Sequence, residues 1–306
     1  MNKRRVIIGM VLVIALALQV GCTSKVPGSG EDVGDRAPEN EQREIMGEFD
    51  RLTGDGAKLE AVVEFINDNI AQVSGKNASV MVDRLEGMQR DNLAALEERF
   101  YSDEEIQSTL YDIYKPGTDI DMEGVDQVEH EALRALLIEV RDTGYRVETA
   151  EGMYFPIIDY SFYGKYSDYI SDDMKEYIDI MATESGEVPA KDAALVIGWD
   201  QVVERALRQD KFLQDHPASE KAEEVKELYK KYVTFTLFGL NNTPLFDYNT
   251  KAMDGDAKDA YTQAAEGGEE GDYKDLLKGY LEVLEENSFA LTDEVDQYRK
   301  RISEGF

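Results

Sequence analysis

The sequence is poor in the residues that build disulfide frameworks and metal centres. Its 306 residues include one cysteine, two histidines and one tryptophan. A single cysteine excludes an internal disulfide and any multi-cysteine zinc or iron–sulfur site. His130 begins a pattern similar to a zinc-protease helix, but Arg134 stands where the second histidine is needed. We find no serine-hydrolase elbow or phosphate-binding loop, so no catalytic motif is evident.

Basic residues and prolines are also scarce. The chain has 33 Lys and Arg against 64 Asp and Glu, a formal net charge of −31. This balance argues against nucleic-acid binding, because a phosphate backbone requires a basic patch. Hydrophobic residues make up 42% of the chain, which is too many for a disordered acidic protein. Seven prolines and an abundance of Ala, Glu, Leu, Lys and Asp favour helices over sheets.

The N-terminus carries a positive segment followed by an apolar segment. Lys3, Arg4 and Arg5 precede an uncharged run of fifteen residues from Val6 to Val20. This is the length of a signal-peptide core, and it is short for a membrane span of about 20 residues. The only cysteine, Cys22, follows directly after Gly21.

Residues 1–22 resemble a bacterial lipoprotein precursor, with a lipobox-like site before Cys22. The resemblance implies that residues 1–21 are a cleaved signal peptide and that Cys22 carries the lipid, a diacylglyceryl group with fatty acids such as palmitate. It also implies attachment to the membrane through this anchor, at the outer face of the cytoplasmic membrane or elsewhere in the periplasmic or extracellular envelope. An uncleaved signal anchor is the alternative. This resemblance covers residues 1–22 alone, and the mature domain is not assigned to a family.

A flexible linker is expected to join the anchor to the folded region. Residues 22–40 comprise the lipidated cysteine and a stretch rich in Gly, Ser, Pro and acidic residues, without aromatic residues. Eighteen such residues reach about 25 Å, so the folded region would lie clear of the lipid headgroups.

The spacing of apolar residues from residue 41 onwards predicts an all-α fold. We expect a multi-helix bundle of amphipathic helices and αα-hairpins, divided into an N-terminal helical part, 41–150, and a C-terminal helical part, 151–306. One helix is predicted from about Val125 to Thr149, and another from Pro189 to Ile197. Residues 212–222 resemble the hinge of a tetratricopeptide-type hairpin, but a single copy predicts an ordinary αα-hairpin.

One acidic segment suggests a cation site. Asp119, Asp121, Glu123 and Gly124 resemble the start of an EF-hand calcium loop, so calcium is the only cofactor that the sequence suggests. The twelfth position is His130 rather than the bidentate glutamate that calcium requires. The alternative is a polar loop whose acids stabilise the start of the next helix.

Aromatic residues are concentrated in one short segment, where aspartates accompany them. The residues that this pattern proposes as ligand-binding are Tyr154, Tyr160, Tyr163, Tyr166, Tyr169, Asp159 and Asp168. Tyrosine suits sugar stacking or a protein interface, because its ring is apolar and its tip is polar. Packing within the core is the alternative, since buried cores also use such rings.

These patterns favour a non-catalytic protein of the cell envelope that binds or scaffolds a protein or an envelope polymer. The alternative is a carboxylate-based enzyme or a solute-binding lipoprotein acting on cell-wall sugars. Sequence cannot select a catalytic pair among 64 acidic residues. A second apolar run, Phe238 to Tyr248, surrounds Gly, Asn and Pro residues and predicts a turn.

Overall fold

The computed structural model describes residues 36–54, 56–114, 120–267 and 270–305. These residues belong to one compact unit. The expected signal peptide, the expected lipidation at Cys22 and the first part of the linker lie outside the described residues, as does Asp119.

Amphipathic helices form the first half of the fold. They are α1 (Glu39–Gly54), α2 (Leu59–Asn69), α3 (Gly75–Tyr101), α4 (Glu104–Ile113) and α5 (Glu131–Asp142). Side chains cap several of their N-termini: the Ser74 hydroxyl accepts a hydrogen bond from Asn77 N, and His130 Nδ1 accepts one from Leu133 N at 3.1 Å. Capping satisfies backbone donors that have no partner within the helix.

The helix predicted from Val125 to Thr149 is wrong at both ends. Residues 124–127 form a short 3₁₀ turn, α5 ends at Asp142, and two antiparallel strands follow, β1 (Tyr145–Ala150) and β2 (Met153–Ile158). Gly144 allows the change of direction because its φ is +80°, and an added Cβ would lie 2.4 Å from Gln89 Nε2. The alternation of buried Tyr145 and Val147 with polar neighbours was the available signal for β1.

The second half begins with a 3₁₀ segment at 160–166 and α6 (Asp172–Gly186). The remaining elements are β3 (Ala190–Lys191), β4 (Ala194–Leu195), α7 (Trp199–Asp215), α8 (Ala222–Phe238), β5 (Gly239–Leu240), β6 (Thr243–Pro244), α9 (Gly255–Glu266), α10 (Asp272–Glu286) and α11 (Asp293–Glu304). The helix predicted at 189–197 is therefore wrong. A β3–β4 hairpin forms there instead, with Asp192 and Ala193 at positive φ in its turn.

The all-α fold class is confirmed, since strands in the described part of the chain occur only as two-stranded hairpins. The αα-hairpin predicted around residues 212–222 is confirmed as well, and it consists of α7 and α8. The division into 41–150 and 151–306 stays a prediction, and the β1–β2 hairpin runs across residue 150. Within the described ranges, no helix has the length and apolar character needed to cross a membrane.

Two hydrophobic clusters lie along the α7–α8 hairpin. The first gathers buried side chains from Phe49 to Ile180, together with Phe212 and Val225. The second runs from Ile197 to Val295. Leu213 of α7 and Leu228 of α8 pack against both clusters, so this hairpin joins them. Burial of these apolar faces is the main source of stability.

Candidate functional site

The tyrosine segment proposed as a ligand site is mostly buried. Tyr154, Tyr160, Tyr163 and Tyr166 expose 5% or less of their surface, and only Tyr169 is exposed, at 40%. The Tyr163 ring centroid lies 5.7 Å from that of Tyr160 and 6.5 Å from that of Tyr166. These rings pack against each other in the first hydrophobic cluster, so their faces are not available for stacking on a ligand in this structure.

The buried tyrosine hydroxyls donate to acceptors that are distant in sequence. Tyr166 donates to Asn67 Oδ1 at 2.8 Å, and Tyr154 donates to the carbonyl oxygen of Tyr114. Tyr163 donates to the side-chain oxygen of Gln89, a fully buried residue on α3. Each hydrogen bond satisfies a polar group that burial would otherwise leave unpaired.

The two aspartates of the segment differ in their surroundings. Asp159 Oδ1 accepts hydrogen bonds from Ser161 N at 3.0 Å and Ser161 Oγ at 2.6 Å, which caps the 160–166 turn. Asp168 is exposed. The structure therefore assigns Asp159 a capping contact, and it leaves Asp168 exposed beside Tyr169, the one exposed tyrosine of the five.

A buried glutamate lies behind the tyrosines. Glu86 of α3 is 1% exposed, and its Oε1 accepts a hydrogen bond from the Tyr160 hydroxyl at 2.5 Å. Lys221 Nζ donates to Glu86 Oε2 at 2.7 Å, and Arg90 Nη2 lies 2.5 Å from Oε1. The hydroxyl of Tyr177, on α6, also contacts this carboxylate. The carboxylate of Glu86 thus accepts hydrogen bonds from side chains of α3, α6, the 160–166 turn and the start of α8.

The ion cluster extends to two further acids. Lys221 Nζ lies 2.5 Å from Asp83 Oδ1, and Arg90 Nη2 donates to Glu224 Oε2 at 2.5 Å. Burial alone would lower the pKa of Lys221, but the charge of Glu86 and the hydrogen bond to Asp83 outweigh it and raise that pKa. A lysine held in its protonated form cannot accept a proton, so this arrangement supports a structural role for the cluster.

The acidic segment proposed as a cation site forms hydrogen bonds with its own backbone. Asp121 Oδ1 accepts hydrogen bonds from Glu123 N at 3.0 Å and Gly124 N at 3.1 Å, and so stabilises the 124–127 turn. Asp119 is not among the described residues. Over the ranges that the structure describes, no group of three or more His, Cys, Asp or Glu side chains is placed to hold a metal ion.

Two buried carboxylates have raised pKa values, and they lie at different helix junctions. Burial raises the pKa of Glu184 on α6, although the Tyr232 hydroxyl donates to it at 2.6 Å. Burial also raises the pKa of Asp210 on α7, which accepts a hydrogen bond from Tyr273 N at the start of α10. Each carboxylate thus accepts a hydrogen bond from another helix of the bundle.

A cavity of about 300 Å³ opens beside the β5–β6 hairpin, and we call it the C-terminal cleft. Its aromatic, polar and charged lining side chains are Phe238, Asn241, Phe246, Tyr248, Lys251 and Arg299. They come from the end of α8, from the β5–β6 turn, from the loop after β6 and from α11. Residues that are distant in the sequence thus meet at one concave surface.

Close backbone packing sets the shape of the cleft. Gly239 ends α8 with a φ of +67°, and an added Cβ would lie 2.3 Å from the carbonyl oxygen of Thr243. In the next loop, Asp247 Oδ1 accepts hydrogen bonds from Asn249 N at 2.9 Å and Thr250 N at 2.7 Å. These hydrogen bonds lower the pKa of Asp247 and fix the loop that carries Tyr248.

The cleft presents one fixed and exposed aromatic ring. Tyr248 is 62% exposed, yet its hydroxyl donates to the carbonyl oxygen of Asn241 at 2.9 Å. Deeper in the cleft, the guanidinium of Arg299 lies 4.7 Å from the ring centroid of Phe238 and 5.6 Å from that of Phe246. Asp296 holds this guanidinium through hydrogen bonds of 2.9 and 2.6 Å.

Sequence reasoning recognised the run from Phe238 to Tyr248 only as a turn, and it missed Arg299. The available signal was the placement of aromatic residues on both sides of that turn. Comparison of the chain with protein-family models, curated proteins and solved structures gives no match. The function is therefore inferred from the residues and their geometry.

Proposed function

We propose that the protein is a lipid-anchored protein of the bacterial cell envelope that binds an envelope polymer without catalysis. The N-terminal signal, the unique Cys22 and the linker support the location. The C-terminal cleft supports the binding role. Lipid chains on Cys22 would hold the protein at a membrane surface, and the linker would let the cleft reach material beyond the headgroups.

The observation that carries this proposal is the exposed, fixed ring of Tyr248. An exposed tyrosine is usually free to change rotamer, and binding then costs conformational entropy. Here the hydrogen bond to Asn241 and the rigid 247–251 loop hold the ring before any ligand arrives. Such a preorganised aromatic surface beside a concave site suits stacking on a sugar ring.

The charged groups elsewhere support a non-catalytic role. The buried ion cluster pairs Glu86 with Lys221 and Arg90 with Glu224, so each charge is already engaged. The two acids with raised pKa values, Glu184 and Asp210, each accept a hydrogen bond from another helix, which supports a structural role for them.

The binding proposal is tested by sedimentation with purified peptidoglycan, using a fragment that starts at Thr23. Starting at residue 41 would remove Ala37, whose N–H donates to the carbonyl oxygen of Gln72, and would shorten α1. We expect the fragment to co-sediment and Tyr248→Ala to lose most of that binding. The matched control is Tyr111→Ala on α4, which removes a tyrosine that is 58% exposed. Equal binding by both variants, or none by the unsubstituted fragment, would contradict the proposal.

The anchoring proposal is tested separately in bacterial cells. Cys22→Ala should remove incorporation of labelled palmitate and shift the protein out of the membrane fraction, because no other cysteine is present. Retention of the label in this variant would refute the lipid attachment. Retention in the membrane without any label would indicate an uncleaved signal anchor instead.

A further inference from the structure

The C-terminal cleft has an unusual charge for this protein. Its only charged lining residues are Lys251 and Arg299, although the chain contains about two acidic residues for every basic one. In each of four other cavities, acidic lining residues outnumber basic ones. Their linings hold Asp121 and Glu129 without Lys or Arg; Glu148, Glu151, Glu187 and Asp192 with Arg146 and Lys191; Asp83, Asp173 and Glu220 with Lys76 and Lys221; and Glu204, Asp210 and Glu270 with Arg208 and Lys211. The C-terminal cleft therefore differs from them in the sign of its charge.

Nearby acids do not cancel this charge completely. The carboxylate of Asp296 is shared between Arg299, at 2.6 Å, and Lys300, at 2.5 Å. The carboxylate of Asp247 accepts hydrogen bonds from the backbone of its own loop and from the Thr250 hydroxyl at 2.9 Å. Of the two lining cations, Arg299 is therefore paired with Asp296, whereas Lys251 makes no ion pair within 4 Å in the described part of the chain and keeps its charge available to a ligand.

The backbone around the cleft is strained. Ala193 in the β3–β4 turn has a φ of +58°, and Lys251 has a φ of +61°. Residues with a Cβ rarely adopt these angles, and such strain is often found where a binding surface must keep a particular shape. Both residues line the same cavity as Tyr248.

We infer that the cleft binds an anionic saccharide. The apolar face of one sugar ring would stack on Tyr248, while a carboxylate or phosphate on that sugar would lie near Lys251 and Arg299. This inference rests on the proposed function and specifies its ligand. A volume of about 300 Å³ is at the small end of ligand sites, which suits one or two sugar units of a longer polymer.

The test measures binding of defined probes to the full chain in detergent by calorimetry. The neutral probe is the disaccharide of two N-acetylglucosamine units. The anionic probe replaces one unit with N-acetylmuramic acid, which adds a lactyl carboxylate. We expect the anionic probe to bind about ten-fold more tightly, because charge-assisted hydrogen bonds are stronger than neutral ones. The same N-acetylglucosamine disaccharide carrying a phosphate distinguishes a phosphate ligand from a carboxylate ligand.

The variants separate stacking from charge recognition. Lys251→Gln should remove most of the preference for the anionic probes, whereas Lys226→Gln, at an exposed position on α8, should leave it unchanged. Tyr248→Ala should weaken all saccharide binding. Equal affinity for the neutral and anionic disaccharides would overturn the inference and leave the proposed function intact. Absence of binding to every probe and to peptidoglycan would overturn both.

Discussion

Two tyrosine-containing regions of this protein use the same side chain in opposite ways. In the segment from Tyr154 to Tyr166 the rings are buried, and their hydroxyls donate to distant acceptors. In the C-terminal cleft the ring of Tyr248 is exposed, and its hydroxyl donates to a carbonyl group seven residues away in sequence. In this protein the densely spaced tyrosines form part of a core, whereas the single exposed ring with a fixed hydroxyl lies on the surface that we propose as the binding site.

Alkaline pH should have the largest effect on the stability that the buried tyrosines contribute. Burial raises the pKa of Tyr145 and Tyr160 to about 12, from an ordinary value of 10.0. The stability that these neutral tyrosines contribute is complete below pH 10 and is lost as the pH rises towards 12, since the unfolded chain ionises first. One pKa unit corresponds to 1.36 kcal/mol, so each tyrosine contributes roughly 2–3 kcal/mol to this loss.

Urea unfolding between pH 9 and pH 12 measures this effect. Tyr160→Phe should have a shallower decline, because one titrating group is removed. A free energy of unfolding that stays constant up to pH 12 would show that the hydroxyls are not buried as described.

Loss of the buried carboxylate should have the next largest effect. Glu86→Gln should lower the free energy of unfolding by about 3–5 kcal/mol, because the buried charge of Lys221 loses its buried partner and keeps only the partly exposed carboxylates of Asp83 and Glu224. Glu98→Gln, at an exposed position on the same helix, should change it by less than about 0.5 kcal/mol. Equal effects of the two substitutions would mean that the ion cluster around Glu86 makes no specific contribution to the free energy of unfolding.

Loss of one buried hydroxyl should have a smaller effect. Tyr163→Phe leaves the ring in place but leaves the side-chain oxygen of Gln89 without its donor. We expect a decrease of about 1–3 kcal/mol in the free energy of unfolding, the cost of an unsatisfied buried acceptor. Chemical denaturation of this variant and of Tyr169→Phe, at the exposed position of the segment, provides the comparison. A neutral result for Tyr163→Phe would remove the structural role assigned to its hydroxyl.

Tyr248→Ala should have the smallest effect on stability. The ring is mostly exposed, so we expect a change within about 0.5 kcal/mol in the free energy of unfolding. Thermal unfolding followed by circular dichroism checks this value. A large loss of stability would mean that Tyr248 is a packing residue, as the inner tyrosines are.

Sequence reasoning predicted the helical fold because apolar spacing follows the helix period through most of the chain. It missed the β1–β2 hairpin because the helical spacing of Leu133, Leu136 and Val140 was extended past Gly144. It could not select Glu86 among so many acids, although Glu86 lies on the apolar face of α3 with Val82 and Gln89. Sequence reasoning could not predict the cleft, because Tyr248 and Arg299 come to line one cavity only through the tertiary packing of α11.

The central claim is that the C-terminal cleft, and not the tyrosine segment, binds the envelope polymer. The most direct measurement compares peptidoglycan binding by Tyr248→Ala and Tyr169→Ala, since Tyr169 is the exposed tyrosine of that segment. Loss of binding in Tyr248→Ala and retention in Tyr169→Ala is the predicted result. Retention in Tyr248→Ala with loss in Tyr169→Ala would contradict it and assign the binding surface to the tyrosine segment.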